Sequence, residues 1–180
     1  AKPLFSIGIK DTLISDDPAE RMKKNAAMTV LENMLFGGGS EFFNDLYKEG
    51  LISKNFGAWH EHNRSMSLIC VSGDSDEPDK VYERFVKYIN DKKRGGLSEE
   101  DFERCRRVMY AGYIKSFDST EEIANSFLGN FVFDGGDMLD FAEVIRGLDF
   151  EYITAVFDSI FEESHYTLAT VLPLEENEKV

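Results

Sequence analysis

Three histidines, His60, His62 and His165, are all the imidazoles this chain has, and two of them flank Glu61. On a strand, residues two apart project from the same face, so the His60 and His62 rings could meet one metal ion, with His165 as a third ligand. The plainer account of His60-Glu61-His62 is a polar sheet face beside a hairpin turn. No serine, histidine and acid can be grouped by spacing into a nucleophilic set. Gly37-Gly38-Gly39-Ser40, at the start of a helix, could cradle an anion on bare backbone N–H groups. No strand precedes it and no lysine follows Ser40, so a P-loop is not supported.

The elements that hold these residues can be read from periodicity. Leu4 to Asp11 alternates, with Phe5, Ile7 and Ile9 on one face, and predicts a half-buried strand. Asp17-Pro18 opens a long helix, Asp as cap and Pro in the first turn, with Met22, Ala26, Ala27, Val30, Leu31 and Met34 at helical spacing. Gly37 to Gly39 stop it. Three glycines in a row are costly in chain entropy, so bare backbone must serve there as a left-handed helix end, a close approach of backbone, or both. Ser40 caps a short helix with Phe42, Phe43 and Leu46 to bury.

After Gly50 the period falls to two. Asn55 to His62 and Ser65 to Gly73 predict a hairpin, with Met66, Leu68 and Cys70 on one face and Ile69 and Val71 on the other. A helix then runs to about Lys93, Gly95-Gly96 end it, and Ser98 caps the next, whose expected buried stripe is Phe102, Cys105, Val108, Met109 and Gly112. Ser119 to Glu122 reads as a capping box opening a helix that carries Ile123, Ala124, Phe127, Leu128 and Phe131. Gly135-Gly136 is a turn, two helices follow over 138–146 and 150–161, and His165 to Leu172 is a last strand. One domain over 1–173 and an acidic tail over 174–180 are expected. The fold class is α+β: a two-layer sandwich, its mixed sheet of at least four strands covered by helices on one face.

Composition narrows the partners. The net charge is -14 over 180 residues, which argues against nucleic acid, since binding phosphates needs clustered Lys and Arg. Solubility accounts for most of that charge, and a preference for basic peptides is a further reading. No stretch has the length of a membrane span. Cys70 and Cys105 fall on apolar positions, which fits buried free thiols in a reducing compartment, and a cytoplasmic location is expected. The chain enters a strand at once and shows no signal peptide, as an excised domain of a longer protein would.

Two phrases carry a resemblance. Asn33 to Leu51 (helix, Gly-Gly-Gly-Ser, short helix, then Leu46-Tyr47-Lys48-Glu49-Gly50-Leu51-Ile52) resembles the second domain of pitrilysin-type zinc peptidases, the family of insulinase and the mitochondrial processing peptidase. Gly96-Leu97-Ser98-Glu99-Glu100-Asp101-Phe102-Glu103-Arg104-Cys105-Arg106 is similar to a second phrase of that domain at a sensible distance. The predicted elements from Leu4 to Leu172 follow the same order, and Leu-Tyr-x-Glu-Gly-Leu-Ile is closest to uncharacterised bacterial members.

The resemblance implies a processing-peptidase-like metallohydrolase fold and a non-catalytic domain. It would form a chamber wall that holds peptides or unfolded polypeptides against a zinc centre elsewhere. The family's zinc motif, His-x-x-Glu-His on a helix, belongs to the first domain and is absent here. Zinc is therefore implied for the parent protein or a partner subunit, with no cofactor and no catalytic residue in this chain. The partners implied are a peptide substrate and the parent's N-terminal catalytic domain or a homologous subunit. Active relatives keep an Arg on the short helix and a Tyr after Gly-Leu, places held here by Tyr47 and Ser53. Those two, with Gly37, Gly38, Gly39 and Ser40, are the candidate substrate contacts. The alternative is a scaffold module of the same fold that has lost proteolysis.

Overall fold

Alternation of apolar and polar side chains makes Leu4–Lys10 a strand, β1, with Phe5, Ile7 and Ile9 fully buried on one face. The computed structural model describes residues 2–129 and 138–173. In chain order β1 is followed by α1 (Pro18–Phe36), α2 (Glu41–Lys48), β2 (Gly57–His62), β3 (Ser67–Asp74), α3 (Pro78–Gly95), α4 (Glu99–Ser116), α5 (Thr120–Gly129), α6 (Phe141–Gly147), α7 (Phe150–Ile160) and β4 (Tyr166–Val171). The Gly135-Gly136 turn, Phe131 and the 174–180 tail lie outside the described residues.

The strands lie in the order β2-β3-β1-β4. Every pairing is antiparallel: Ile7 faces Val71 on β3 and Leu168 on β4, and His60 faces Ile69. The α+β two-layer architecture is the one expected, with the difference that these four strands form an antiparallel rather than a mixed sheet. Ile69 and Val71 join Ile7 and Ile9 on the helix side, as their alternation requires. Leu68 and Cys70 point to the other side, where they border an open cleft of about 390 Å³ with Gly8, Met66, His165 and Thr167.

Helix α1 is the centre of the helical layer. Asp17 caps it by accepting from the Ala19 N–H, and Pro18 supplies the preset first turn. It packs on β2, α2, α4, α6 and α7, which is why its burial runs almost around the helix from Ala26 to Phe36. At its end Phe36 meets Phe42, Phe85 and Phe161 at ring-centroid distances of 5.8, 5.9 and 6.2 Å, and Phe85 meets Tyr166 of β4 at 5.1 Å. One aromatic cluster thus ties α1, α2, α3, α7 and the sheet together.

Of the two roles expected for the glycine turn, the structure shows close approach of backbone and not a left-handed helix end. Gly37 closes α1 with φ -62° and ψ 161°, and left-handed backbone occurs only at Gly50 and Gly96 among the described residues. What Gly37 provides is room: a Cβ there would stand 2.5 Å from the Asn33 carbonyl oxygen of the preceding turn. Gly50, at φ 72°, ends α2 with Leu51 N–H donating to the Leu46 carbonyl, the six-to-one bond of a Schellman motif.

The stripe expected on α4 is buried only in its first half. Phe102 and Cys105 are buried, whereas Val108 is 63% exposed and Gly112 is exposed. Helical spacing decides which side chains share a face. It does not decide whether a neighbouring element covers that face. The same holds for α5, which has no buried residue.

Candidate functional site

Strand β2 lies at the edge of the sheet, so one side of its backbone has no pairing strand among the described residues. Ala58, His60 and His62 share its helix-facing side, because each opposes a helix-facing residue of β3: Val71, Ile69 and Ser67. The prediction that His60 and His62 project together is correct. They nevertheless serve two separate polar clusters.

His60 turns to α1. Its Nδ1 is 3.0 Å from Glu32 Oε2, and its Nε2 is 2.5 Å from Asn25 Oδ1. The other carboxylate oxygen, Glu32 Oε1, is buried with no hydrogen-bond partner among the described residues.

His62 belongs to a buried string that closes the end of the sheet. Ser67 Oγ donates to Asp11 Oδ2 at 2.6 Å, Lys24 Nζ approaches the same oxygen at 2.7 Å, and the Leu13 N–H donates to Asp11 Oδ1 at 3.0 Å. Ser67 spends its proton on Asp11, so its oxygen accepts from His62 Nδ1–H at 2.7 Å. His62 Nε2 is left unprotonated and, among the described residues, without a partner. Burial, reinforced by the Lys24 charge, pushes the His62 pKa down to about 4. Burial raises Asp11, but Lys24, Ser67 and the Leu13 N–H together hold it below the usual carboxylate value.

Asp11, Ser67 and His62 do not make a nucleophilic triad. Such a triad needs the imidazole between acid and hydroxyl, with the hydroxyl reaching solvent. Here the hydroxyl is in the middle and all three side chains are buried.

The residues inferred for substrate contact are spread over three places. Gly37 and Gly38 border an open cleft of about 370 Å³ with Glu32, Phe43, Phe56 and the start of β2. Gly39 and Ser40 border a different, smaller cleft against Tyr88 and Arg104. Ser40 is buried and its Oγ accepts from the Phe43 N–H, so its hydroxyl is used as the α2 cap. Tyr47 is 41% exposed and stacks on Phe43 at 5.6 Å. Ser53 donates to Asp74 Oδ1 at 2.6 Å, which ties the loop before β2 to the end of β3.

Sequence reasoning missed Glu32. A signal was present: Met28, Leu31, Glu32 and Leu35 follow the i, i+3, i+4, i+7 spacing of one helix face, so an acid stands in an apolar stripe.

Residues 17–109, just over half of the chain, match the model of the peptidase M16 inactive domain. The chain belongs to the peptidase M16 inactive-domain family. It is 25% identical over 173 residues to the uncharacterized zinc protease YmfH of Bacillus subtilis, covering 95% of this chain and 40% of that protein. The solved M16-like peptidase of Alicyclobacillus acidocaldarius superposes with a TM-score of 0.90 at 25% identity, over 96% of this chain and 41% of that one. The solved inactive peptidase domain of a zinc protease from Bordetella parapertussis shares the fold, with a TM-score of 0.76 at 13% identity over 97% and 92% of the two chains. The chain thus spans about two fifths of the length of YmfH and of the Alicyclobacillus protein.

His60 Nδ1 and Nε2 are engaged by Glu32 and Asn25, and His62 Nδ1 by Ser67. His165, which leads into β4, borders the cleft on the opposite face of the sheet, with β3 and β1 between it and β2. Among the described residues no group of three or more His, Cys, Asp or Glu is placed to hold a metal ion. These residues do not fit a zinc centre. No helix among the described residues is long and apolar enough to cross a membrane.

Proposed function

We propose that this chain is a non-catalytic, substrate-handling wall of a zinc-dependent metalloendopeptidase. It holds extended peptide while a catalytic domain of the parent, or a homologous partner subunit, supplies the zinc and the hydrolysis. The observation that carries this reading is the match to the inactive-domain family in a sequence without His-x-x-Glu-His. The edge of β2, which has no pairing strand among the described residues, supports it, because unpaired strand backbone accepts an extended peptide as an added strand. The adjoining cleft at Gly37, Gly38 and Ala58 offers room for a side chain of that strand.

The test is binding without cleavage. Unstructured peptides titrated into the chain are expected to bind and remain intact in the presence of zinc, with amide shifts concentrated on Gly57–His62. Cleavage by the chain alone would overturn the reading. Failure of every unstructured peptide to bind would favour the alternative, a scaffold module that kept the fold without handling substrate.

A further inference from the structure

Trp59 is the chain's single tryptophan and the one exposed residue of β2, with 52% of its surface open to solvent. It opposes Cys70, which in turn opposes Gly8, so it stands on the sheet face away from the helices with only small neighbours in its row. No aromatic ring pairs with it among the described residues. Folded proteins commonly blunt an edge strand with Lys, Pro or a bulge. The six residues of β2 include neither Lys nor Pro, and they pair with β3 in unbroken register. Its outer backbone edge is therefore shaped to receive another strand.

A strand added there sends its side chains alternately to the two faces of the sheet. The residue that pairs opposite Trp59 must share the outer face, with its Cβ about 5 Å from that of Trp59. On the helix side the polar groups of β2 are already spent: His60 on Glu32 and Asn25, and His62 on Ser67. On the outer side Gly57 has no side chain, and Glu61 accepts from Asn63 Nδ2 at 2.8 Å. The indole of Trp59 is the large apolar surface that remains uncovered along this edge.

We propose that Trp59 is a specificity-determining residue, selecting an aromatic or large aliphatic side chain at the position of an extended peptide that pairs opposite it. The proposal rests on the peptide-handling reading above and adds the class of side chain selected and the residue that selects it. Covering the exposed indole removes apolar area of both partners from water, and a ring against the ring adds a favourable edge-to-face or offset contact. Backbone pairing holds the peptide whatever its sequence, so the side chain opposite Trp59 grades the affinity.

The experiment uses the 180-residue chain and unstructured Ser- and Thr-rich peptides with one central position varied among Phe, Leu, Lys and Ser. Fluorescence anisotropy of labelled peptides is expected to show Phe and Leu binding about three- to tenfold tighter than Lys and Ser. With unlabelled peptides, the emission of the single tryptophan should move to shorter wavelength at saturation with Phe or Leu, and less with Ser. Trp59→Thr, which keeps a strand-forming residue at an exposed place, should shrink the affinity gap to less than about twofold. Equal affinity of the unaltered chain for all four peptides would overturn the selection and leave peptide handling standing. Binding of none would overturn both. A Lys peptide binding as tightly as the Phe peptide would make charge the selector and overturn the apolar preference. A gap that survives in Trp59→Thr, or a tighter Phe peptide that leaves the emission unmoved, would place the selected side chain elsewhere and overturn the role of Trp59. The emission measurement needs no variant, so it decides the question should Trp59→Thr fail to fold.

Discussion

The Lys24 ammonium of α1 stands 2.7 Å from the Asp11 carboxylate just past β1, and both side chains are almost wholly removed from water. This pair fixes the first helix to the end of the sheet, and Asp11 also receives Ser67 Oγ and the Leu13 N–H. The exposed ion pairs among the described residues, Arg84 with Glu49 for example, are screened by water and salt, and this one is not.

Removing one partner of the pair should therefore be severe. Asp11→Ala leaves Lys24 without its counter-charge and Ser67 without its acceptor, and is expected to lose about 3–5 kcal/mol of unfolding free energy. Urea denaturation measures it. Adding Lys24→Met to Asp11→Ala should recover part of the loss, since no unpaired charge then remains buried.

His62 gives the chain a defined acid sensitivity. Its folded pKa of about 4 lies below the ordinary 6.5, so between those values the unfolded chain binds a proton that the folded chain refuses. Stability is full above pH 6.5 and falls as the pH drops towards 4, by about 3 kcal/mol in all. The carboxylates held low, Asp11 among them, act chiefly beneath that window. Denaturation midpoints measured from pH 7 to pH 4 should show this slope, and His62→Gln should flatten it.

The glycines of the turn should respond unequally to the same substitution. Gly37→Ala drives a methyl against the Asn33 carbonyl oxygen at 2.5 Å and is expected to cost about 2 kcal/mol. Gly38→Ala meets nothing within 4 Å and needs no left-handed backbone, so it should be neutral or stabilise by up to about 1 kcal/mol. Thermal melts of the two variants make the comparison.

Aromatic residues should divide in the same way. Phe85→Ala opens a hole among Phe36, Phe42 and Tyr166 and is expected to cost about 4 kcal/mol. Phe127→Ala on α5, where the ring is 43% exposed, should change stability by less than about 0.5 kcal/mol. Chemical denaturation of each variant reads the difference.

The order of elements, the caps at Asp17, Ser40, Ser98 and Ser119, the core face of β1 and the division of β3 into two faces were all legible in the chain. These depend on neighbours a few residues apart, where side-chain period and backbone hydrogen bonding leave few choices. The family resemblance was legible for the same reason, because its two phrases are local. The alternation of β2 also showed that His60 and His62 share a side.

What the tertiary structure alone decided is which distant residues meet. Asp11, Lys24, His62 and Ser67 converge only because β1, α1 and the β2–β3 hairpin end at one corner of the sheet. Glu32 gains its place beside His60 and the glycine turn only because α1 lies along β2. The amphipathic pattern of α4 could not say that its second half goes uncovered. Periodicity records the face an element offers, whereas burial, pKa and partnership depend on what packs against that face, and packing is a property of the assembled chain.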